Sequence, residues 1–252
     1  MKNRTSIVIP LGNGSNWDNN ELRYCLRAVE RYLINYGDIF IVGEKPHWIQ
    51  NVIHIEATDI DDIKWKQWNI YNKVNIACAD ERVSDDFLFM NDDHILFSNF
   101  NTWNFPNYIK EDLEVFVERN ENDDIYRTTL QNTIDYLQPR GYKINNYDNH
   151  SPIIYNKGLF SKLGDVDWGK EHGYGIKSLY GNINDLDHVF RTDLRIGHEG
   201  QNKARIRATT ADKIMFSLPP TISNEMKECL FEMFPNKSKH EDHYNFNPNP
   251  QG

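Results

Sequence analysis

The first sixty residues alternate short apolar runs with one amphipathic stretch. A β-branched run, Thr5 to Pro10 (TSIVIP), predicts a buried strand. Apolar residues then recur at helical spacing behind a capping-box-like start at Asp18, and this helix is expected to end at Gly37. Two further runs, DIFIVG and VIHIEA (residues 52–57), predict strands. The order strand, helix, strand, strand indicates an α/β unit with a mostly parallel sheet.

A second helix and a fourth strand follow. The stretch from Lys64 to Asp80 (KWKQWNIYNKVNIACAD) carries apolar residues in one helical row. The run SDDFLFMNDD is then apolar through its middle, as expected of a strand covered on both faces. It ends in three polar residues, Asn91, Asp92 and Asp93.

Beyond residue 100 the pattern is irregular. Helices are predicted over Tyr126–Leu137, from near Asn156, and over Thr221–Phe234, while Gln138–Pro152 has the composition of a loop. We expect one domain over residues 1–235. From Asn236 the chain is polar with spaced prolines, which predicts a disordered tail over residues 236–252.

Charge and composition narrow the function classes. The 252 residues carry a formal net charge of -9, which argues against a protein that mainly binds phosphate backbones, so a nucleic-acid partner is disfavoured. No apolar run is long enough to span a bilayer, and the apolar run near the N-terminus is too short for a secretion signal. The three cysteines lie far apart, which predicts reduced thiols. These features indicate a soluble cytoplasmic protein.

The acidic pair at residues 92 and 93 is the main chemical signal. In an open α/β sheet, ligands bind beyond the carboxyl ends of the strands, where this pair is expected to lie. Adjacent carboxylates repel unless a positive group joins them, and Mg²⁺ and Mn²⁺ prefer oxygen ligands. We therefore predict that Asp92 and Asp93 bind a divalent cation and a nucleoside diphosphate, with Asn91 orienting them. The alternative is an ordinary Asx turn.

The surrounding sequence resembles a known group of enzymes. The stretch NKVNIACADERVSDDFLFMNDD, residues 72–93, resembles the nucleotide-sugar-binding half of glycosyltransferases with the GT-A fold. The resemblance implies a GT-A-like (Rossmann-like) sheet flanked by helices, with an irregular C-terminal half. Residues 1–100 would then bind the nucleotide-sugar and residues 101–235 the acceptor. It also implies that Lys73 and Asn75 contact the donor.

Four stretches are similar to the Stealth family of sugar-1-phosphate transferases and occur in that family's order. They are DNNELRYCLRAVERY (18–32), FLFMNDDHILF (87–97), NHSPIIYNKGLF (149–160) and FPNKSKHE (234–241). The last departs from the family pattern in having His240 where an aromatic residue is expected. The resemblance implies a divalent cation (Mg²⁺ or Mn²⁺), a nucleotide-sugar donor and a glycan acceptor of the capsule or cell surface.

Candidate bases for the acceptor hydroxyl lie in two places. His150 precedes Pro152 in a polar loop, and an imidazole accepts protons near neutral pH; Asp148 would orient it. In GT-A enzymes a late acidic residue often takes this role, which here points to Glu171 or Asp167. Sequence leaves the choice between His150 and Glu171 open.

Positive partners for the diphosphate are sought among the basic residues. Arg140 and Lys143 share the loop region of His150, and Arg191 begins a second basic group. That group also contains Arg195, Lys203, Arg205 and Arg207. The alternative for it is a solvated charged face.

The leading hypothesis is a metal-assisted transferase that moves a sugar-1-phosphate or a sugar from a nucleoside diphosphate sugar to an acceptor hydroxyl. Ordinary GT-A glycosyl transfer is the alternative, with a glycan, a modified nucleic-acid base or another non-glycan acceptor. A non-catalytic module that binds sugar or nucleotide is a further alternative, because fold alone does not imply function.

Overall fold

The computed structural model describes residues 4–119, 124–192, 194–196 and 202–242. The strands are β1 (Thr5–Leu11), β2 (Leu33–Ile34), β3 (Tyr36–Gly43), β4 (Ile53–Ile55), β5 (Asp86–Phe89), β6 (His94–Leu96), β7 (Phe100–Asn101), β8 (Tyr108–Ile109), β9 (Ile153–Asn156), β10 (Val189–Phe190) and β11 (Met215–Ser217). The helices are α1 (Asn20–Tyr32), α2 (Lys66–Ala79), α3 (Leu113–Arg119), α4 (Asp124–Leu137), α5 (Lys157–Phe160), α6 (Ile176–Ile183), α7 (Lys203–Thr210) and α8 (Asn224–Met233).

A five-stranded sheet in the order β4-β3-β1-β5-β9 forms the centre of the fold. Strands β4, β3, β1 and β5 pair in parallel, and β9 pairs antiparallel to β5. The predicted class, an α/β fold with a mostly parallel sheet flanked by helices, is confirmed. The chain leaves β1 first toward β3 and later toward β5, so the strand order reverses between β1 and β5. Such a reversal opens a crevice at the carboxyl ends of the strands.

Alternate residues of the strands enter two separate cores, one on each face of the sheet. Ile7, Ile9 and Leu88 pack in the core that contains α1 and α8. Val8 and Phe87 pack in the core that contains α2, α4 and α6. Both faces are therefore covered, which explains why these strands are apolar throughout rather than alternating.

Several element boundaries differ from the sequence predictions. Helix α1 ends at Tyr32 rather than Gly37, because Leu33 is already extended and Asn35 has a φ of 64°. Gly37 lies inside β3 instead. The helix expected near Asn156 is confirmed, since the Asn156 side chain accepts a hydrogen bond of 3.1 Å from the Leu159 amide and caps α5.

Residues 236–242, which we call the C-terminal strap, contradict the expectation of disorder. Ser238, His240 and Glu241 are all buried. The strap packs beside the segment that follows β3: Glu241 forms an antiparallel bridge with Ile49, and Gln50 N–H donates to the His240 carbonyl at 2.9 Å. The polar composition misled the prediction because the most strongly polar group of the strap, the Glu241 carboxylate, is paired inside the protein. Residues 243–252, including His243, lie outside the described residues.

The described parts of the chain contain no helix that is long and apolar enough to cross a bilayer. The thiols of Cys25, Cys78 and Cys229 are free, and those of Cys25 and Cys229 are buried. Burial raises the pKa of Cys78 to about 12.

Candidate active site

A tight turn after β5 carries the acidic pair. The Asn91 N–H donates to Nδ1 of His94 at 3.2 Å, and the backbone N–H of His94 donates to the Asn91 carbonyl at 3.4 Å. Because Nδ1 accepts, the imidazole proton is on Nε2. His94 is buried and opens β6, so Asp92 and Asp93 lie at the tip of the turn. The turn sits at the carboxyl edge of the sheet, as predicted for this motif.

Asp93 is anchored by β11, which pairs antiparallel with β6. The Ser217 hydroxyl donates to Oδ2 of Asp93 at 2.6 Å, and the Leu218 N–H donates to the Asp93 carbonyl at 3.0 Å. Oδ1 of Asp93 is buried without a hydrogen-bond partner among the described residues, 3.9 Å from Nε2 of His94. Oδ2 of Asp93 is thus held by Ser217, while Oδ1 can still accept a hydrogen bond or bind a cation.

Asp92 shares its surroundings with a third carboxylate, Glu21, in the first turn of α1. Burial, together with the negative charges of Asp93 and Glu21, raises the pKa of Asp92 to about 8. Oε2 of Glu21 is also buried and lacks a partner within the described part of the chain. Burial, Asp92 and Asp93 together raise the pKa of Cys25, whose Sγ lies 3.6 Å from the Asn91 carbonyl oxygen. The three carboxyl groups form one electrostatically coupled cluster.

This cluster suits a hard divalent cation in its chemistry. Oδ1 of Asp93 and Oε2 of Glu21 are buried carboxylate oxygens to which no described residue donates, and such oxygens are what Mg²⁺ and Mn²⁺ bind. Among the described residues, no group of three or more His, Cys, Asp or Glu side chains is arranged to hold an ion. Mg²⁺ usually takes one or two carboxylates and completes its shell with water and substrate phosphates. The residues therefore fit a cation that is shared with a phosphorylated ligand.

A cavity of about 310 Å³ opens beside Asn91. Three basic side chains line it from different elements: Lys66 from α2, Lys177 from α6, and Arg195. The remaining lining residues are Gln67, Ile70, Phe89, Asn91, Tyr126, Asp148, His150, Tyr155 and Ile176. We refer to this cavity as the cationic pocket. Its concentration of positive charge stands out in a chain with a net charge of -9.

The cationic pocket and the acidic cluster adjoin at Asn91, which lines the pocket and precedes the acidic pair. Lys66 lies close enough to Asp92 to oppose the rise in its pKa. Burial lowers the pKa of His94, and the nearby Lys177 and His150 side chains lower it further. Arg195 pairs through its backbone with Ser217, the residue that holds Asp93. Opposite charges thus flank the turn after β5.

His150 lines the cationic pocket and has a φ of 34°, in the left-handed region that few side chains adopt. Nearby, Lys177 is buried and its Nζ donates to the Ser151 carbonyl at 3.1 Å. Asp148 accepts a hydrogen bond of 2.6 Å from the Ser178 hydroxyl. The loop before β9 and the start of α6 therefore hold both the imidazole and a buried ammonium at the pocket.

Three predicted donor contacts and one predicted base lie elsewhere. Glu171 is exposed and does not line the cationic pocket, and Asn75 is exposed on α2. Arg140 is exposed, and its guanidinium donates to the Tyr136 carbonyl at 2.8 Å. Lys143 forms an exposed ion pair with Asp185 at 2.6 Å. The structure brings none of these four to the pocket.

The second basic group also separates into different environments. The Arg191 guanidinium lies over the Tyr108 ring at 5.7 Å from its centre, whereas Arg195 lines the pocket. Lys203 pairs with Glu228 and Arg207 with Glu232, which joins α7 to α8. These surface pairs leave Arg195 as the member of the group at the candidate site.

Lys73 lies at the other end of the same sheet edge, at the ends of β1 and β3. It is buried, and its Nζ pairs with Oδ2 of Asp59 at 2.6 Å. A Cβ at Gly43, whose φ is 109°, would lie 2.6 Å from the Lys73 side chain, and one at Gly12 would lie 3.1 Å from Asp59. Oδ1 of Asp59 is buried with no partner among the described residues. Close backbone approach and a buried ion pair make this a second polar subsite.

Sequence reasoning missed Glu21, Lys66 and Lys177. Glu21 lies just after the loop that follows β1, and this position is a signal for the carboxyl edge of the sheet. Lys66 and Lys177 stand in the first turns of α2 and α6, where their basic side chains read as ordinary surface charge. Only the folded chain shows that both face one cavity.

No family model matches this chain, and no curated protein sequence matches it. Among solved structures, the chain is similar to mouse xyloside xylosyltransferase 1 in its apo form, at 9% sequence identity and a TM-score of 0.38. The match covers 84% of this chain and 96% of that chain. The likeness to the Stealth family stays a prediction.

Proposed function

We propose that this protein is a nucleotide-sugar-dependent transferase that moves a sugar-1-phosphate from a nucleoside diphosphate sugar to a hydroxyl group of a glycan of the capsule or cell surface. The observation that carries the proposal is that an acidic turn and a cationic pocket adjoin at the strand reversal between β1 and β5. There, Asp92 and Asp93 adjoin a pocket lined by Lys66, Lys177 and Arg195, and by an imidazole.

The donor is proposed to lie along the carboxyl edge of the sheet. Its nucleoside occupies the subsite of Lys73 and Asp59, and its diphosphate spans the acidic cluster and Lys66. Asp92 and Asp93 would hold Mg²⁺ or Mn²⁺, which would offset the negative charge of the departing nucleotide. The sugar and the acceptor then enter the cationic pocket.

The chain's own residues account for the remaining chemistry. Neutral His150 takes the proton of the acceptor hydroxyl, and that oxygen attacks the phosphorus atom bonded to the sugar. The bond from this phosphorus to the oxygen bridging the two phosphates breaks, and a nucleoside monophosphate leaves with that oxygen. Lys177 and Arg195 stabilise the negative charge on the phosphoryl oxygens during transfer.

Glycosyl transfer is the second candidate, and the charge of the pocket distinguishes the two. Attack at the anomeric carbon passes through an oxocarbenium-like, positively charged sugar, which three cations would destabilise. Attack at phosphorus concentrates negative charge, which three cations favour. The pocket charge therefore supports phosphoryl transfer over glycosyl transfer.

A donor screen tests the proposal. Titration calorimetry with UDP-, GDP-, ADP- and CMP-sugars, with and without Mn²⁺, is expected to give one preferred nucleotide whose binding tightens with Mn²⁺. Asp92→Asn should abolish that Mn²⁺ dependence while leaving the protein folded. Failure of every nucleotide-sugar to bind, with Mn²⁺ present, would contradict the proposal.

A further inference from the structure

A buried ion-pair network joins the C-terminal strap to α1. Glu241 accepts two hydrogen bonds of 2.7 Å from Arg27 and one of 3.3 Å from Arg23. The Ser238 N–H donates to the same carboxylate at 2.9 Å. The Glu241 side chain has no exposed surface, and those of Arg23 and Arg27 are 2% and 4% exposed. The carboxylate is thus fully paired in the interior.

From Arg23 the contacts continue to the start of α1. Nε of Arg23 donates to Oδ1 of Asn20 at 2.7 Å, and Nδ2 of Asn20 donates to the Trp17 carbonyl at 2.6 Å. The Arg23 guanidinium also lies 3.8 Å from the centre of the Trp48 ring. The Trp48 indole N–H in turn donates to the Asp18 carbonyl at 3.4 Å.

The start of α1 needs such support. Asp18 and Asn19 both have a φ of 53°, and the Asn19 side chain makes no capping hydrogen bond to the helix. A residue in this backbone region costs free energy, and it persists only where the surrounding structure holds it. Glu21, the carboxylate beside Asp92, stands in the first turn that follows. Its position therefore depends on how firmly Asp18 to Asn20 are held.

We propose that Glu241 is a positioning residue for the candidate active site: through Arg23 and Asn20 it fixes the first turn of α1 and so keeps Glu21 near Asp92. The inference deepens the proposed function and rests on it only for the role of the acidic cluster. The strap contributes no atom to the site and acts through α1.

Hydrogen exchange of the full-length protein tests the positioning directly. Glu241→Gln leaves two buried guanidinium groups without a full partner and is the variant at risk of misfolding. Arg23→Met is the second variant, because Glu241 keeps both hydrogen bonds from Arg27 while the link to Asn20 is lost. Arg31→Met is the control, since Arg31 lies on the same helix and contacts the end of α8 at the Met233 carbonyl.

We expect Arg23→Met to accelerate amide exchange at residues 17–24 but not in β5 or α6, with no change in Arg31→Met. Unchanged exchange at residues 17–24 in a folded Arg23→Met protein would overturn the positioning role. Mn²⁺ alone is the second probe: a loss of affinity of about 10- to 100-fold in Arg23→Met but not in Arg31→Met supports the link to the acidic cluster. Equal Mn²⁺ affinity in wild type and Arg23→Met would overturn that link. If wild type binds no Mn²⁺, the cation part of the proposed function fails, and the exchange result still decides the positioning.

Discussion

Ser217 holds Asp93 through a hydrogen bond of 2.6 Å from its hydroxyl to Oδ2, although 124 residues separate them. The contact exists because β11 pairs antiparallel with β6, the strand that leaves the acidic turn. The two adjacent carboxyl groups therefore differ. Asp93 is anchored, whereas Asp92 lies beside Glu21 with a pKa raised to about 8 by burial and by neighbouring negative charge.

The Ser217 contact gives the first prediction. Ser217→Ala removes the donor to Asp93 and should weaken Mn²⁺ binding about 10-fold, because such supporting residues orient cation ligands. Its cost in unfolding free energy should be about 1 kcal/mol, the usual net value of one hydrogen bond. Ser161→Ala, which removes an exposed hydroxyl bonded to the Gly158 carbonyl, is the control for calorimetry. Equal Mn²⁺ affinity in both variants would count against the anchoring role.

The raised pKa of Asp92 predicts that the free energy of unfolding depends on pH. A carboxyl group has a pKa of about 3.9 in an unfolded chain, against about 8 here, so between these values the folded state binds more protons than the unfolded state. Stability should therefore fall as pH rises from about 4 to about 8, by up to about 1.4 kcal/mol per pH unit from this group. When the free energy of unfolding is measured with denaturant at several pH values, Asp92→Asn should flatten its decline with pH. Asp38→Asn, at an exposed position, should not. Parallel slopes for wild type and Asp92→Asn would show that Asp92 is ionised in the folded protein.

The same group predicts how cation binding depends on pH. A protonated carboxyl must release its proton before it binds Mn²⁺, so affinity should rise by up to about 10-fold per pH unit below pH 8. Calorimetry in buffers of different ionisation enthalpy measures the released proton. Binding at pH 6.5 without proton release would exclude Asp92 as a ligand.

The cationic pocket predicts which basic residues matter for turnover. Arg195→Gln and Lys177→Met should each lower kcat by about 10²- to 10³-fold, as loss of a donor to a charged transition state does. Arg140→Gln and Lys143→Met should leave kcat unchanged, because both side chains lie on the exposed surface away from the pocket. If Arg140→Gln and Lys143→Met lowered kcat in steady-state kinetics while Arg195→Gln and Lys177→Met did not, the reacting phosphate would lie outside the cationic pocket.

His150 and Glu171 can be separated by a pair of substitutions. His150→Asn keeps a residue that tolerates the left-handed backbone and should lower kcat by about 10²- to 10⁴-fold. Glu171→Gln should retain full activity, since Glu171 is exposed and outside the pocket. Retained activity in His150→Asn together with its loss in Glu171→Gln would reassign the base.

The first half of the fold could be predicted from sequence because its signals are local. The run TSIVIP, the amphipathic pattern after Asp18 and the apolar strand before Asn91 each specify one element, and parallel topology then brings their ends to one edge. The acidic turn followed from this topology. The boundary of α1 did not, since it depends on the backbone of Leu33 and Asn35.

The cationic pocket could not be predicted, because its members meet only through tertiary contacts. Lys66, Lys177 and Arg195 come from three separate parts of the chain. The sequence places Arg195 among the candidate diphosphate partners, but Lys66 and Lys177 resemble ordinary surface charge. The burial of Glu241 could not be predicted either, for the same reason. It lies in a polar segment that reads as disordered, yet the two arginines that bury it stand more than 200 residues earlier.

The nucleotide released during turnover tests the central claim most directly. The preferred donor, labelled with ³²P in the phosphate next to the sugar, would be incubated with protein, Mn²⁺ and a panel of glycan acceptors. The account predicts release of a nucleoside monophosphate and transfer of ³²P to the acceptor. The label is followed as well as the nucleotide because glycosyl transfer from a CMP-sugar would also release a monophosphate. Release of a nucleoside diphosphate that retains the label, with unlabelled glycan product, would contradict it.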